Sequence, residues 1–104
     1  MKINLFDSWN GKFSSAIRKH WEDLGHEVNF NGKYEEPADI AFWYQSDNAA
    51  QEGIRQSAHV PRKIVQCVDI EVWANQASAI PWDDVNGCIF MAEHIRSMVD
   101  TKGT

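Results

Sequence analysis

Five polar or small residues that follow apolar segments could do chemistry: Asn10, Gly11, Asp69, Glu71 and Glu93. An Asn-Gly pair before a helix lets backbone amides approach an anion, although a plain turn explains the same pair. Carboxylates such as Asp69 and Glu71 can hold a sugar hydroxyl, a base or a metal ion, but Asp69 would equally cap a following turn. Glu93 suits a helix N-terminus through the helix dipole alone. We take the five as candidate substrate-binding residues, with no catalytic residue and no metal ligand assigned.

The first thirty residues contain the elements that must position the first of these loops. Residues 2–6 are an apolar strand, and four apolar residues at helical spacing follow: Phe13, Ile17, Trp21 and Leu24. This stripe predicts an amphipathic helix that ends at Gly25, where a left-handed cap costs least. Residues 26–30 then alternate as a strand does. The segment is therefore a βαβ unit, with its helix covering one face of a sheet.

The rest of the chain extends this unit. Apolar runs at 40–44 and 64–68 are typical of strands buried on both faces, and residues 85–91 contain a last strand. A last helix is predicted to begin at Ala92 and to continue to Val99. Asp47 or Asn48 could cap a helix over residues 49–58, which Pro61 stops. Alternating strands and helices predict a single Rossmann-like α/β domain over residues 1–104. Its three layers contain a mostly parallel five-stranded sheet of flavodoxin-like order 2-1-3-4-5.

In such a sheet, ligands bind beyond the carboxyl ends of the strands, near the switch in strand order. Four predicted loops meet there, and they contain the five candidate residues: 7–11, 45–48, 69–73 and 91–94. A glycine-rich dinucleotide fingerprint is absent. We therefore predict a binding cleft at this edge and no cofactor.

Composition and charge argue against several classes of partner and location. The net charge is −5 and the 10 Lys and Arg residues are scattered, so electrostatics does not favour DNA or RNA as a partner. No apolar run approaches the ~20 residues of a transmembrane helix, and no signal peptide is recognisable, which predicts a cytoplasmic protein. Cys67 and Cys88 form neither a disulfide framework nor a zinc-binding spacing, so we expect two buried thiols.

The order of these segments resembles the N-terminal half of GT-B-fold glycosyltransferases, in particular the family-four-like N-terminal domain. The residues that carry this resemblance read WEDLGHEV at 21–28, ADIAF at 38–42, KIVQCVD at 63–69 and CIFMAEHIR at 88–96. The chain departs from the family pattern at three positions. Val68 stands where a histidine is frequent, Ala92 where a serine is frequent, and Gly11 is single where a glycine pair is frequent.

The resemblance implies an acceptor-side domain that forms one wall of a sugar-transfer cleft. Its partners would be a sugar acceptor and, if a second domain were joined to it, a nucleotide-sugar. It also implies that Asn10, Gly11, Asp69, Glu71 and Glu93 face the acceptor, and that the isolated chain has no transferase activity because the donor-binding domain is not in these residues. The alternative is a stand-alone binding or dimerisation module, in which the polar edge strand would pair with a second copy.

Two other functions of flavodoxin-like proteins fit less well. A phosphoacceptor receiver would use Asp7, but it needs a lysine after the last strand, and Met91-Ala92 supplies none. A flavin site would need a first loop rich in serine and threonine, which DSWNGKFSS supplies only in part.

Overall fold

Five parallel strands form one sheet. In the computed structural model, which describes residues 1–12, 14–67 and 76–90, the strands are β1 (Lys2–Phe6), β2 (Glu27–Phe30), β3 (Ile40–Trp43), β4 (Arg62–Cys67) and β5 (Gly87–Phe90). Helix α1 (Ser15–Asp23) follows β1, helix α2 (Asn48–Gln56) follows β3, and a 3-10 turn (Trp82–Asp84) precedes β5. The strand order is β2-β1-β3-β4-β5 and every pair is parallel, which confirms the predicted fold class.

The two helices cover opposite faces of the sheet. On β3, alternate side chains point to opposite faces, so Ala41 and Trp43 share one face and Phe42 lies on the other. Ala41 and Trp43 belong to the same buried cluster as Ile54 of α2. Phe42 instead meets Trp21 of α1, edge to face, with ring centroids 5.5 Å apart. The sheet therefore has a helix on each side, as a doubly wound fold requires.

The main core lies on the α2 side. Its buried members come from β1, β3, α2, β4 and the segment before β5: Phe6, Ala41, Trp43, Ala50, Ile54, Val60, Val65, Cys67, Ala77, Ile80, Trp82 and Val85. Trp82 is 1% exposed, and its indole nitrogen donates to the Ala77 carbonyl at 2.9 Å. The sequence does not predict a core residue here, because a single aromatic residue between a proline and two aspartates shows no periodicity.

Helix α1 packs more loosely than its apolar stripe predicts. It contains no fully buried residue, and Leu24 is 61% exposed. The helix ends at Asp23, and Leu24 is its C-cap, which keeps right-handed helical dihedral angles and whose amide donates to the His20 carbonyl at 3.1 Å. Gly25 then takes the predicted left-handed conformation, with φ +93°. The placement of Leu24 in the buried stripe was therefore wrong, and Phe13 lies outside the described residues.

This difference between Trp21 and Leu24 gives a paired prediction. We expect Trp21→Ala to lower the free energy of unfolding by about 2 kcal/mol, because it removes the aromatic contact with Phe42 and partly buried area. Leu24→Ala should change the free energy of unfolding by no more than about 0.5 kcal/mol, since the side chain is already largely in water. Urea denaturation of both variants measures the two values. Equal losses would contradict the assignment of Leu24 to the surface.

Element boundaries shift by a few residues from the predicted ones. Helix α2 begins at Asn48, one residue before the predicted start, and ends at Gln56, two residues before the predicted end. Strand β4 begins two residues before the predicted start, at Arg62, because Arg62 and Lys63 pair with Ile40 and Ala41 of β3. The last helix, predicted from Ala92, and the segment at 68–75 lie outside the described residues. Among the helices that the structure describes, none is long and apolar enough to cross a membrane.

Candidate functional site

A pocket of about 330 Å³ opens at the carboxyl ends of β1 and β3, which is where the strand order switches. Six of its lining residues carry polar side chains: Asp7, Ser8, Asn10, Asn31, Gln45 and Asp47. The other lining residues are aromatic or small: Phe6, Gly32, Tyr34, Trp43 and Ala49. The predicted location of the cleft and the structural position of the pocket therefore agree.

Asp7, which directly follows β1, holds the loop beneath the pocket. One carboxylate oxygen accepts the Trp9 amide at 2.9 Å and the Gln45 side-chain amide at 2.5 Å. The other accepts the Gly11 amide at 3.0 Å and the Ser14 hydroxyl at 2.5 Å. Each oxygen thus accepts two hydrogen bonds, which is its usual capacity. Asp7 is only 2% exposed, so it organises the loop and has no acceptor capacity left for a ligand.

The electrostatics of Asp7 follow from these contacts. Burial by itself would raise the pKa of Asp7, but hydrogen bonds from the Gln45 and Ser14 side chains and from two backbone amides outweigh it. The pKa therefore lies below the ordinary value of 3.8. The carboxylate therefore stays ionised. Asp7 does not suit the role of a receiver's phosphoacceptor, because four hydrogen-bond donors already occupy the oxygens that a phosphoryl group or a metal ion would need.

Two side chains from neighbouring strands fix the same loop. Asn31, just after β2, accepts the Asp7 amide at 2.7 Å and donates to the Asp7 carbonyl at 2.9 Å. Asn10 and Asn31 both have positive φ, 53° and 49°, a conformation that asparagine tolerates better than most residues. On the β3 side, the Gln45 carbonyl oxygen accepts the Ser8 amide at 2.9 Å. The loop is therefore built before any ligand arrives.

Asp47 is a carboxylate of the pocket lining whose oxygens could accept further hydrogen bonds. Its side chain caps α2 by accepting the Ala50 amide at 3.0 Å, as predicted, and its other oxygen accepts the Ser8 hydroxyl at 2.5 Å. Within the part of the chain that the structure describes, each oxygen accepts one hydrogen bond where it could accept two. Asp47 lines the pocket and is 6% exposed. It is the lining carboxylate that a ligand hydroxyl could reach as a donor.

Aromatic rings form the apolar side of the pocket. Phe6 stacks on Trp43 with centroids 5.2 Å apart and meets Tyr34 at 5.0 Å. Burial, with the negative charges of Asp47 and Glu52, raises the pKa of Tyr34, so the phenol keeps its proton. The buried Trp43 indole N–H has no hydrogen-bond partner within the described part of the chain.

The structure places the five predicted site residues differently. Asn10 lines the pocket. Gly11 does not, and its amide donates to Asp7 instead of facing a ligand, while its φ of +86° explains the glycine. Asp69, Glu71 and Glu93 lie outside the described residues.

Asp7, Asn31 and Gln45 were not among the predicted site residues, although Asp7 and Gln45 lie in two of the four predicted loops. Asp7 precedes Trp9 by two residues, a spacing at which an aspartate can close an Asx turn, and this was the available signal. Gln45 and Asn31 approach Asp7 from 38 and 24 residues away in sequence. A local sequence pattern does not predict contacts between residues that far apart in the chain.

A second feature lies on β4 and β5. The Cys67 and Cys88 sulfurs are 3.8 Å apart on adjacent strands, on the side of the main core. Cys67 is 1% exposed, whereas Cys88 is partly exposed. The hydrogen bond from the Cys88 thiol outweighs burial and lowers the pKa of Cys67 to about 7, while the same contact raises the pKa of Cys88.

Comparison with protein-family models, curated proteins and solved structures gives no match for this chain.

Proposed function

We propose that this chain is the acceptor-side domain of a glycosyltransferase-like protein, and that the switch-point pocket binds a neutral, hydroxyl-rich group of the acceptor. The observation that carries the proposal is the lining of the pocket: polar groups that are held in place by hydrogen bonds, beside a wall of aromatic rings. Sites for small molecules combine a few fixed polar groups with apolar walls in this way.

The polar lining suits hydroxyl groups. A sugar hydroxyl both donates and accepts, so it needs acceptors and donors within one pocket. Asp47 offers carboxylate acceptor capacity, and the exposed Asn10 side chain offers an amide donor and an amide acceptor. The half-buried ring of Tyr34 offers an aromatic surface that complements the apolar C–H face of a pyranose ring.

The charge of the pocket argues for the acceptor and against a phosphate. Asp7 and Asp47 are both carboxylates, and no described lining residue is basic. A nucleotide-sugar carries two negative phosphates, and these carboxylates would repel them. The pocket is therefore suited to the uncharged acceptor, while a donor would need cationic or helix N-terminal groups elsewhere.

The test is binding of a panel of methyl glycosides, followed by saturation-transfer NMR. We expect weak, saturable binding by the wild-type chain. Ala49→Phe should weaken it roughly tenfold or more, because the ring would occupy a pocket of only about 330 Å³. Ala49 is exposed in the first turn of α2, so the substitution leaves the core intact.

Ala16→Phe is the matched control, because Ala16 is an exposed helical alanine on α1 and does not line the pocket. It should bind glycosides as the wild type does. Absence of binding by any glycoside, or equal binding by the Ala49→Phe variant, would contradict the proposal. Sugar transfer by the purified 104 residues would contradict a different part of it, the assignment to one half of a cleft.

The same pocket would serve a stand-alone binding module. The dimerisation alternative has less support, because the edge strand β2 has four residues and carries the exposed Glu27, features that discourage edge-to-edge pairing.

A further inference from the structure

The indole N–H of Trp43 is a buried donor without an acceptor in the protein. Trp43 lines the switch-point pocket and is 2% exposed, and its nitrogen Nε1 has no hydrogen-bond partner in the part of the chain that the structure describes. The equally buried indole N–H of Trp82, by contrast, donates to the Ala77 carbonyl at 2.9 Å. Buried polar groups are normally paired, and an unpaired one costs free energy. A ligand that supplied the missing acceptor would remove this cost.

The surroundings of the Trp43 nitrogen are apolar. A Cβ atom built on Gly53 of α2 would lie 2.6 Å from this nitrogen and 2.8 Å from a ring carbon of Tyr34. Phe6 stacks on the indole, with ring centroids 5.2 Å apart. A hydroxyl oxygen placed here would accept from the indole but leave its own proton without a partner. An oxygen that only accepts, such as the carbonyl of an acyl group, therefore suits this position better.

Tyr34 is the side chain that controls access to this nitrogen. Its ring lies beside Gly53 and is half-buried, and it lines the pocket together with Trp43 and Ala49. The Tyr34 hydroxyl meets the Ala49 carbonyl at 3.5 Å, well beyond the usual O–H···O distance of about 2.5–3.0 Å. A ring held this loosely can rotate towards solvent, and that rotation would uncover the Trp43 N–H from the side of the pocket.

Asp47, on the same pocket lining, has the opposite requirement. Its carboxylate oxygens accept from the Ser8 hydroxyl and the Ala50 amide, and each could accept one more hydrogen bond. A ligand that satisfies both Trp43 and Asp47 needs a pure acceptor and a pure donor in one small group. An amide is such a group, because its carbonyl oxygen accepts and its N–H donates.

We propose that the switch-point pocket selects an N-acetylated amino sugar, whose acetamido oxygen accepts from the Trp43 indole N–H and whose amide N–H donates to Asp47. The acetamido methyl group packs against the Tyr34 ring. This inference rests on the proposed function, because it names the class of acceptor for the same pocket. The acetamido group is uncharged, in agreement with a lining that contains two carboxylates and no described basic residue.

The experiment compares the affinities of the full chain for methyl N-acetylglucosaminide and methyl glucoside. We expect the wild type to prefer the N-acetylated sugar roughly fivefold to tenfold, the effect of one well-placed buried hydrogen bond. Trp43→Phe keeps an aromatic ring but removes the N–H, so it should bind the two sugars equally. Trp21→Phe is the matched control, because Trp21 is also aromatic and half-buried but does not line the pocket, and it should keep the preference.

The indole N–H resonances of the wild type give a second readout that does not depend on the folding of a variant. The chain has five tryptophans, and the Trp43 signal is identified by its proximity to the Gly53 protons. Methyl N-acetylglucosaminide should move the Trp43 N–H proton downfield, as a new hydrogen bond does, whereas methyl glucoside should not. The Trp82 signal should stay in place with either sugar, since its N–H already donates to Ala77.

The outcomes separate this inference from the proposed function. Equal binding of the two sugars by the wild type, or a Trp43 resonance that does not move, would overturn the inference and leave the binding of glycosides intact. A preference that persists in a folded Trp43→Phe variant would also overturn it. Binding of neither sugar would overturn both the inference and the proposed function.

Discussion

Asp7→Asn should lower the free energy of unfolding by about 3 kcal/mol, although it changes only one atom type. The four groups around the carboxylate are all hydrogen-bond donors: the Trp9 and Gly11 amides, the Ser14 hydroxyl and the Gln45 amide. An asparagine amide nitrogen in place of one oxygen would face two of these donors and leave both without an acceptor. A hydrogen bond to a charged group typically contributes about 1.5–3 kcal/mol to stability.

The dependence on pH gives a second readout for Asp7. The folded pKa lies below the unfolded value, so the carboxylate stabilises the fold above the unfolded pKa, and this contribution is lost as the pH falls through the lowered folded pKa. The difference in stability between wild type and Asp7→Asn should therefore be largest near neutral pH and shrink in acid. Urea denaturation at a series of pH values measures it.

Asp23→Asn is the matched control for this prediction. Asp23 also accepts a hydrogen bond, from Lys19 at 3.1 Å, but its side chain is 64% exposed. Its loss should cost no more than about 0.5 kcal/mol, as for most exposed ion pairs on helices. If both variants were equally stable, the Asp7 contacts would not organise the loop in the way described.

The parts of this fold that sequence predicts are those governed by local periodicity. The runs at 40–44 and 64–68 became the interior strands β3 and β4 because a strand buried on both faces has few alternatives to a continuous apolar sequence. Gly25 and Asp47 were predictable for a similar reason. A left-handed cap needs glycine and a helix N-cap needs a short acceptor, and both requirements concern only adjacent backbone.

The parts that sequence does not predict depend on contacts between distant residues. The role of Asp7 depends on Gln45, and the pairing of Cys67 with Cys88 depends on the register of β4 and β5. Periodicity grouped Leu24 with Trp21, but periodicity does not report whether the last turn of a helix lies over the sheet, and Leu24 is exposed. The candidate site was therefore predictable in location, at the switch in strand order, and only partly in its residues.

Gly53→Ala should destabilise the protein, against the usual effect of this change in a helix. Alanine favours a helix interior by about 1 kcal/mol over glycine, which would stabilise α2. A Cβ atom at position 53, however, would lie 2.6 Å from the Trp43 indole nitrogen and 2.8 Å from a Tyr34 ring carbon. Tyr34 is half-buried and can move, but Trp43 is 2% exposed and packed in the core.

Overpacking of this kind costs about 1–3 kcal/mol. Because the contacts here are closer than van der Waals distance, the steric cost should exceed the gain in helix propensity. We expect a net loss of about 1–2 kcal/mol, which corresponds to a fall in Tm of roughly 5–15 °C for a domain of this size. Gly32→Ala is the control, since a Cβ there meets nothing within 4 Å and should leave Tm unchanged or slightly raised. Because Trp43 and Tyr34 also line the pocket, Gly53→Ala should weaken glycoside binding as well. Unchanged stability of Gly53→Ala would contradict the close packing of α2 against Trp43 and Tyr34.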